Sequence, residues 1–304
     1  MTTSIPICFY PMRKIVLDDD QAFSQSILLK MHDKDFTAYN SPRKALHHLL
    51  NEHRPMFSKK DLIAVDSSIE NTRTQRTVNI NIEKLKQMLV TEHHPDISVL
   101  LVDYHMPEMC GLDFLKEIQH LPMKKALITG EKDYKIGINA YSDGLVDSYI
   151  RKDDPDFPKI LQNTISELEW KYFTELSGVV SGIPEFDYLN NPHLISVFKN
   201  FIVENKIKAF CLTDVQGCFA VKNEGKQTYF LVRSKEQLQE LAKIAKEDGA
   251  TTEVITDLEQ GRVIPFFDDK EYWQVPAIEW GQYCHPSKFL FGDPDIAWAS
   301  INSL

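Results

Sequence analysis

Three carboxylates in a row, Asp18-Asp19-Asp20, follow Arg13–Leu17 (RKIVL), which reads as a buried strand, and a fourth, Asp103, follows a second such stretch, Ile97–Val102 (ISVLLV). Like charges this close repel one another in a low-dielectric cleft. A divalent cation with hard oxygen ligands removes that penalty, and magnesium does so with few protein carboxylates while keeping several waters. Asp18, Asp19 and Asp103 are therefore expected to hold Mg2+, with one oxygen position left for an incoming phosphoryl group. A carboxylate is itself a competent nucleophile toward phosphorus and yields an aspartyl phosphate. The transferred group spreads negative charge over its oxygens, so catalysis is mostly positioning and charge neutralisation. Lys152 would add a further positive charge, and the Thr129 hydroxyl can donate a hydrogen bond to a phosphoryl oxygen.

These residues meet only if the elements before them end at one edge. Arg13–Leu17, Phe36–Tyr39, Ile97–Val102, Lys125–Thr129 and Asp147–Arg151 read as short strands. Helical patterns at Gln21–Met31, Pro42–Leu50, Leu112–Gln119 and Tyr134–Tyr141 alternate with them. Strands alternating with helices imply parallel β-α-β units, hence a doubly wound five-stranded parallel sheet with helices on both faces. Functional sites of such sheets lie off the carboxyl ends of the strands. Residues 53–78 break the rhythm: they are polar, without clear period, and are expected to be an inserted loop followed by a helix near Ile80–Thr91.

The chain has 304 residues, a length suited to about two domains. Its formal net charge of -10 disfavours a broad electrostatic grip on nucleic acid. The five cysteines are scattered, with no C-x-x-C pair. An odd count in a chain of this size fits a reducing compartment. The first ten residues lack the basic and apolar pattern of a secretory signal. No stretch approaches the roughly 18 uninterrupted apolar residues of a membrane span. The expectation is a cytoplasmic protein that does not engage the membrane.

In order along the chain, the set Asp18-Asp19, Asp103-Tyr-His-Met-Pro107-Glu-Met-Cys-Gly111, Thr129-Gly130 and Tyr149-Ile-Arg-Lys152 resembles the receiver domain of two-component response regulators. The string DYHMPEMCG is similar to the family's phosphorylated Asp followed by M-P-x-M-x-G. The resemblance spans roughly residues 12 to 155. It implies a flavodoxin-like receiver in which Asp103 is the phosphoacceptor and Asp18 and Asp19 are the acidic pair serving Mg2+. It also implies that Thr129 is the switch hydroxyl, Lys152 the phosphate-contacting lysine and Tyr149 the aromatic that changes rotamer. The partners implied are a sensor histidine kinase or phosphotransfer protein, with homodimerisation on phosphorylation. Two departures stand out. The interval from Asp19 to Asp103 is longer than the family's by roughly the length of the insert. Lys152 is followed by Asp153, where the family has Pro.

The expected domains are 1–155, a receiver with an insertion at about 53–92; 156–205, a helical connector; and 206–304, a smaller α+β output domain with an antiparallel sheet. The apolar stripe Leu161, Ile165, Leu168, Tyr172 and Leu176 suits either a core helix or a dimer contact. Ala209–Asp214, Cys218–Lys222 and Thr228–Arg233 read as an antiparallel meander. Ser234 and Gln237 have the spacing of a capping box, opening a helix that stops at Asp248-Gly249. Thr252–Ile255 and Val263–Phe267 read as further strands.

No helix-turn-helix pair is evident, and acidic residues outnumber basic ones after Lys206. A downstream protein partner is therefore expected ahead of nucleic acid; the alternative is a transcriptional regulator with an atypical DNA-binding output. No separate catalytic activity is evident. Cys211 and Cys218 lie in apolar runs that suit core positions. Asp214 and Asp268-Asp269 read as turns. The pairs His47-His48 and His93-His94 are neighbours that do not share a helix face.

Overall fold

The computed structural model describes residues 4–31, 34–53, 59–70, 73–91, 94–130, 133–180, 183–223, 226–267 and 270–302. Asp268-Asp269 and His93 lie outside them. The chain forms two compact units: one holds Tyr10–Asn79 and Thr91–Gly178, the other Thr3–Phe9, Ile80–Val90 and Val179–Leu304.

The first unit contains a five-stranded parallel sheet. Its spatial order is Phe36–Tyr39, Met12–Leu17, His94–Asp103, Lys124–Thr129 and Ser148–Arg151. Apolar residues fill the carboxyl halves of its inner strands, as Ile15–Leu17, Val99–Val102 and Ala126–Ile128, because both faces are covered there. Ile15, Leu17, Leu100, Val102 and Leu127 turn to one core with Ala45, Phe114, Leu115 and Ala140. Val16, Val99, Leu101, Ala126, Ile128 and Ile150 turn to the other with Ile27, Phe157, Leu161, Ile165 and Leu168. The helices Gln21–Met31 and Phe157–Leu176 therefore cover one face. Pro42–His47, Gly111–Glu117 and Tyr134–Ser142 cover the other. The stripe at Leu161, Ile165 and Leu168 is core of its own sheet. Each fully buried side chain of this size contributes about 1.5–3 kcal/mol relative to exposure.

The insertion departs from the expected loop. Ile63–Glu70 and Arg73–Ile80 form a two-stranded sheet, and the helix Ile82–Val90 follows as expected. Strand pairing satisfies backbone groups without an apolar period, so hydropathy gives no sign of it.

The second unit is built on a six-stranded antiparallel sheet. Its order is Cys8–Phe9, Ala209–Asp214, Cys218–Lys222, Gln227–Ser234, Asp293–Asn302 and Lys288–Leu290. One face packs on the helix Pro192–Glu204, where the Phe198 ring lies 5.0, 5.1 and 4.9 Å from Phe210, Phe219 and Phe230. The other face packs Leu231, Ala297 and Ala299 against Leu238, Ala242, Leu258 and Trp280. The capping box at Ser234 and Gln237 opens the helix Lys235–Glu247, and Gly249 (φ 84°) follows it. Thr252–Ile255 is not a strand. It begins the helix Thr252–Glu259, with the Thr251 side chain accepting from the Val254 amide and Val254 and Leu258 buried one turn apart.

The unit boundaries differ from those expected. Residues 156–205 do not form a separate connector. Phe157–Leu176 belongs to the first unit and Pro192–Glu204 to the second, which also takes an edge strand from the N-terminus and a helix from within the insertion.

Candidate functional site

Register brings the acidic residues to one edge of the parallel sheet. Leu17 pairs with Val102, so Asp18 and Asp103 emerge level with each other. Asp103 pairs with Ile128 and Thr129 with Arg151, so Thr129 and Lys152 leave their strands within a residue of the same edge. Asp18, Asp19 and Asp103 each offer a carboxylate oxygen, and these lie within 4.8 Å of one another. Asp18 and Asp103 are buried and Asp19 is exposed.

The Lys152 ammonium bridges the two buried carboxylates, 2.8 Å from Asp18 Oδ2 and 2.6 Å from Asp103 Oδ1. The residue after Lys152 therefore does not prevent its reach; Asp153 instead pairs with Arg151 at 2.7 Å. Lys152 also lies 4.4 Å from the centre of the Phe23 ring, a cation–π distance. Burial pushes the Lys152 pKa down, but hydrogen bonds to Asp103 and Asp18 outweigh it and the net shift is upward. For Asp18 burial dominates: its carboxyl is raised above the ordinary value despite Lys152.

Three carboxylates face one ammonium here, leaving two negative charges among these four residues. A divalent cation matches that excess in charge, and the all-oxygen donor set suits Mg2+. Thr129 is fully buried, and among the described residues its hydroxyl has no hydrogen-bond partner. An orphaned buried hydroxyl costs about 1–3 kcal/mol. It is a ready donor for an anion held at this edge.

Neighbouring residues hold the frame. Asp20, rather than Asp18 or Asp19, caps the Gln21–Met31 helix: its Oδ1 accepts from the Ala22 and Phe23 amides at 2.9 and 3.1 Å. The Asp18 side chain accepts from the Asp20 amide at 3.0 Å, and its carbonyl accepts from the Asn40 side chain at 2.9 Å and the Ser24 hydroxyl at 3.3 Å. Gly111 packs so closely that a Cβ would sit 2.2 Å from the Asp103 carbonyl oxygen. His105 is exposed and meets Asp133 at 2.8 Å. Ser24 and Phe23 carry no local signal in the sequence, and the one that could have found Asn40 is its position just after the strand Phe36–Tyr39.

Tyr149 is half-buried in the core beside Leu127, its pairing partner being on the neighbouring strand. A Cβ on Gly137 would come within 3.0 Å of its ring. In the second unit, Asp214 is the expected turn residue: its Oδ1 accepts from the Gly217 and Cys218 amides at 2.8 and 3.0 Å. Cys211 and Cys218 are core. Among the described residues no helix is long and apolar enough to cross a membrane.

No protein-family model matches the sequence, and no curated protein matches it. Solved structures do. The chain is similar over 100% of its length to the Legionella pneumophila response regulator LqsR, with 25% identity, 91% of that chain covered and a TM-score of 0.76. A response regulator receiver domain protein from Clostridium thermocellum covers 53% of this chain and 96% of its own, at 18% identity and a TM-score of 0.36. The receiver domain of the Francisella response regulator 1452 covers 53% and 98%, at 16% identity and a TM-score of 0.35. With a parallel sheet in the receiver order and full-length similarity to a solved response regulator, this chain has the architecture of a response regulator, a flavodoxin-like receiver with an extra antiparallel α+β domain.

Proposed function

We propose that this chain is a phosphorylation-controlled switch in a two-component phosphorelay, with Asp103 as phosphoacceptor. The observation that carries the reading is the unbalanced cluster of Asp18, Asp19 and Asp103 against Lys152, beside the orphaned Thr129 hydroxyl. The phosphodonor is a phosphohistidine on a sensor kinase or phosphotransfer protein, or a small acyl phosphate. An Asp103 carboxylate oxygen attacks phosphorus, the bond to the leaving nitrogen or oxygen breaks, and the leaving group keeps the electron pair. Asp18, Asp19 and Asp103 would hold Mg2+, which would supply charge neutralisation for the transferring group. Lys152 shifts from bridging two carboxylates to contacting a phosphoryl oxygen, and Thr129 donates its hydroxyl to another.

The phosphoryl group adds about 1.5 to 2 negative charges and three acceptor oxygens. Charge-assisted hydrogen bonds of about 1.5–3 kcal/mol each accumulate toward the roughly 5.5 kcal/mol that moves a two-state element from 1:99 to 99:1. Thr129 moving toward the phosphoryl group frees space that Tyr149 fills, and the altered surface drives dimerisation or capture of a downstream protein by the second unit. The net charge of -10 favours a protein target over nucleic acid.

Intact-mass measurement after incubation with acetyl phosphate tests the reading. The expected result is one added phosphoryl group in the presence of Mg2+, none after chelation and none in Asp103→Asn. Mg2+-independent labelling, or labelling of Asp103→Asn to the wild-type level, overturns it.

A further inference from the structure

Two cysteines in the second unit face each other across neighbouring strands. Cys8 lies opposite Cys211, and Phe9 opposite Phe210, in antiparallel register. The Leu212 amide donates to the Ile7 carbonyl at 2.7 Å. Ile7 and Leu212 continue that register by one step and so form a hydrogen-bonded pair. The next pair along an antiparallel ladder is then of the non-hydrogen-bonded kind, with Cα atoms about 4.5 Å apart and side chains closer together. Cys8 and Cys211 are that pair. The spacing falls at the near end of the roughly 4.4–6.8 Å over which a disulfide closes without backbone movement. The Phe9 and Phe210 rings stack at 5.7 Å, and strand alternation puts them on the opposite face, leaving both thiols on one face.

We propose that Cys8 and Cys211 are a reversible modification site, closed to a disulfide by exchange with a low-molecular-weight disulfide. Both thiols are fully buried in the closed sheet. Access comes through the edge: Cys8–Phe9 is a two-residue strand at one end of the six-stranded sheet, so lifting it breaks few ladder bonds. The Cys8 thiolate attacks one sulfur of the small disulfide and expels a small thiolate, leaving a mixed disulfide on Cys8. The Cys211 thiolate then attacks the Cys8 sulfur and expels the second small thiolate. The two protons released by the cysteines go to the two small thiolates. Two protein thiols are oxidised and one small disulfide is reduced to two thiols.

The other cysteines lack this arrangement. Cys218 pairs with Asp214 and Leu231 across its two ladders, so no cysteine lies opposite it. Cys284 faces Pro265, and Cys110 precedes the Gly111–Glu117 helix; both are partly exposed and serve as internal controls for simple adduct formation. Closure would fasten the N-terminal strand, which leads through Tyr10 into the strand Met12–Leu17, to the sheet of the second unit. In a reducing compartment such a bond is transient.

The test is exposure of the folded full-length chain to oxidised glutathione, alkylation of remaining thiols, and peptide mapping without reduction. The expected result is a Cys8–Cys211 linked peptide, an intact mass lower by two hydrogens and a faster band on a non-reducing gel, all reversed by dithiothreitol. Cys218→Ser retains the link; Cys8→Ser and Cys211→Ser lose it. Recovery of Cys8 and Cys211 as alkylated thiols, glutathione adducts confined to Cys110 or Cys284, or linkage of Cys8 to a different cysteine overturns the proposal. The wild-type map decides even if a variant folds poorly.

Discussion

Two charged clusters occupy opposite ends of the same parallel sheet, and they resolve burial in opposite ways. At the amino ends of the strands, Lys124 pairs with Glu175 and, at 3.5 Å, with Asp147, while Lys171 pairs with Asp147 at 2.7 Å. In these ion pairs two ammoniums meet two carboxylates, and the neighbouring buried Lys125 ammonium donates instead to the Leu121 and Met123 carbonyls at 2.8 and 3.1 Å. Burial pushes the Asp147 carboxyl up, but the Lys171 hydrogen bond, the Lys125 amide and the Lys124 charge overcome it and hold it below the ordinary value. At the carboxyl ends, Lys152 is the one ammonium among the described residues paired with Asp18 and Asp103, with Asp19 alongside, and there burial prevails and Asp18 is raised. The balanced cluster is complete without any ligand. The unbalanced one gains stability from whatever brings positive charge, which is the signature of a binding site. Burial of charge alone does not mark function; its imbalance does.

The largest effect that would sharpen this contrast is on stability. Asp147→Ala removes the carboxylate shared by Lys124, Lys171 and the Lys125 amide. Urea unfolding is expected to show a loss of about 2–3 kcal/mol, with phosphoryl uptake by the folded fraction unchanged. Impaired uptake at full folding would erase the distinction between the two ends.

A second difference is that the carboxyl end has an element poised against a glycine. Gly137→Ala places a methyl group 3.0 Å from the Tyr149 ring, so the ring or the helix must shift. The expected cost is about 1–2 kcal/mol from overpacking, with an altered response to beryllofluoride, read as a changed protease-accessibility pattern. A response identical to wild type would remove Tyr149 from the switch.

Asp18→Asn reverses the sign of the Asp147 change. Without Mg2+ it relieves like-charge crowding and is expected to stabilise the chain at neutral pH by about 1 kcal/mol, while abolishing stabilisation by Mg2+. The pH dependence follows from the directions. Because the folded pKa of Asp18 is raised, the folded chain binds its proton more readily than the unfolded one. Metal-free stability from this group therefore falls as pH rises from 3.8 through the raised folded value. The Asp147 pKa is lowered, so its contribution is present above 3.8 and is lost as pH falls through the lowered folded value. Melting curves against pH for Asp18→Asn and Asp147→Asn, each subtracted from wild type, are expected to slope in opposite directions. Parallel slopes would contradict the charge-ratio account.

The smallest expected effect is that of Phe23→Leu, which keeps bulk in the core but removes the ring 4.4 Å from Lys152. A loss of about 0.5–1 kcal/mol in chemical denaturation is expected.

The carboxyl-end site was legible because its acidic residues follow strands buried on both faces. Such strands end in short apolar runs, so Asp18 after IVL and Asp103 after VLLV stand out by position. Thr129 was legible for the same reason, whereas Lys152 follows the half-exposed edge strand Ser148–Arg151 and was legible only by its place just past it. The amino-end cluster was not: Lys124, Asp147, Lys171 and Glu175 come from separate elements, and nothing local marks one as the partner of another. The second unit was read in part. Its meander and capping box depend on neighbours in sequence and appeared where expected, whereas its edge strand at Cys8–Phe9 and its helix at Ile82–Val90 arrive from distant stretches of chain. Thr252–Ile255 was misread as a strand because its β-branched residues outweighed the Thr251 cap and the spacing of Val254 and Leu258.

Calorimetric titration of the whole chain with Mg2+ tests the central claim most directly. The account predicts saturable binding at a single site, lost in Asp18→Asn and Asp103→Asn and retained in Asp147→Asn. Absence of saturable binding at millimolar Mg2+, or binding that survives both carboxyl-end substitutions, would contradict it.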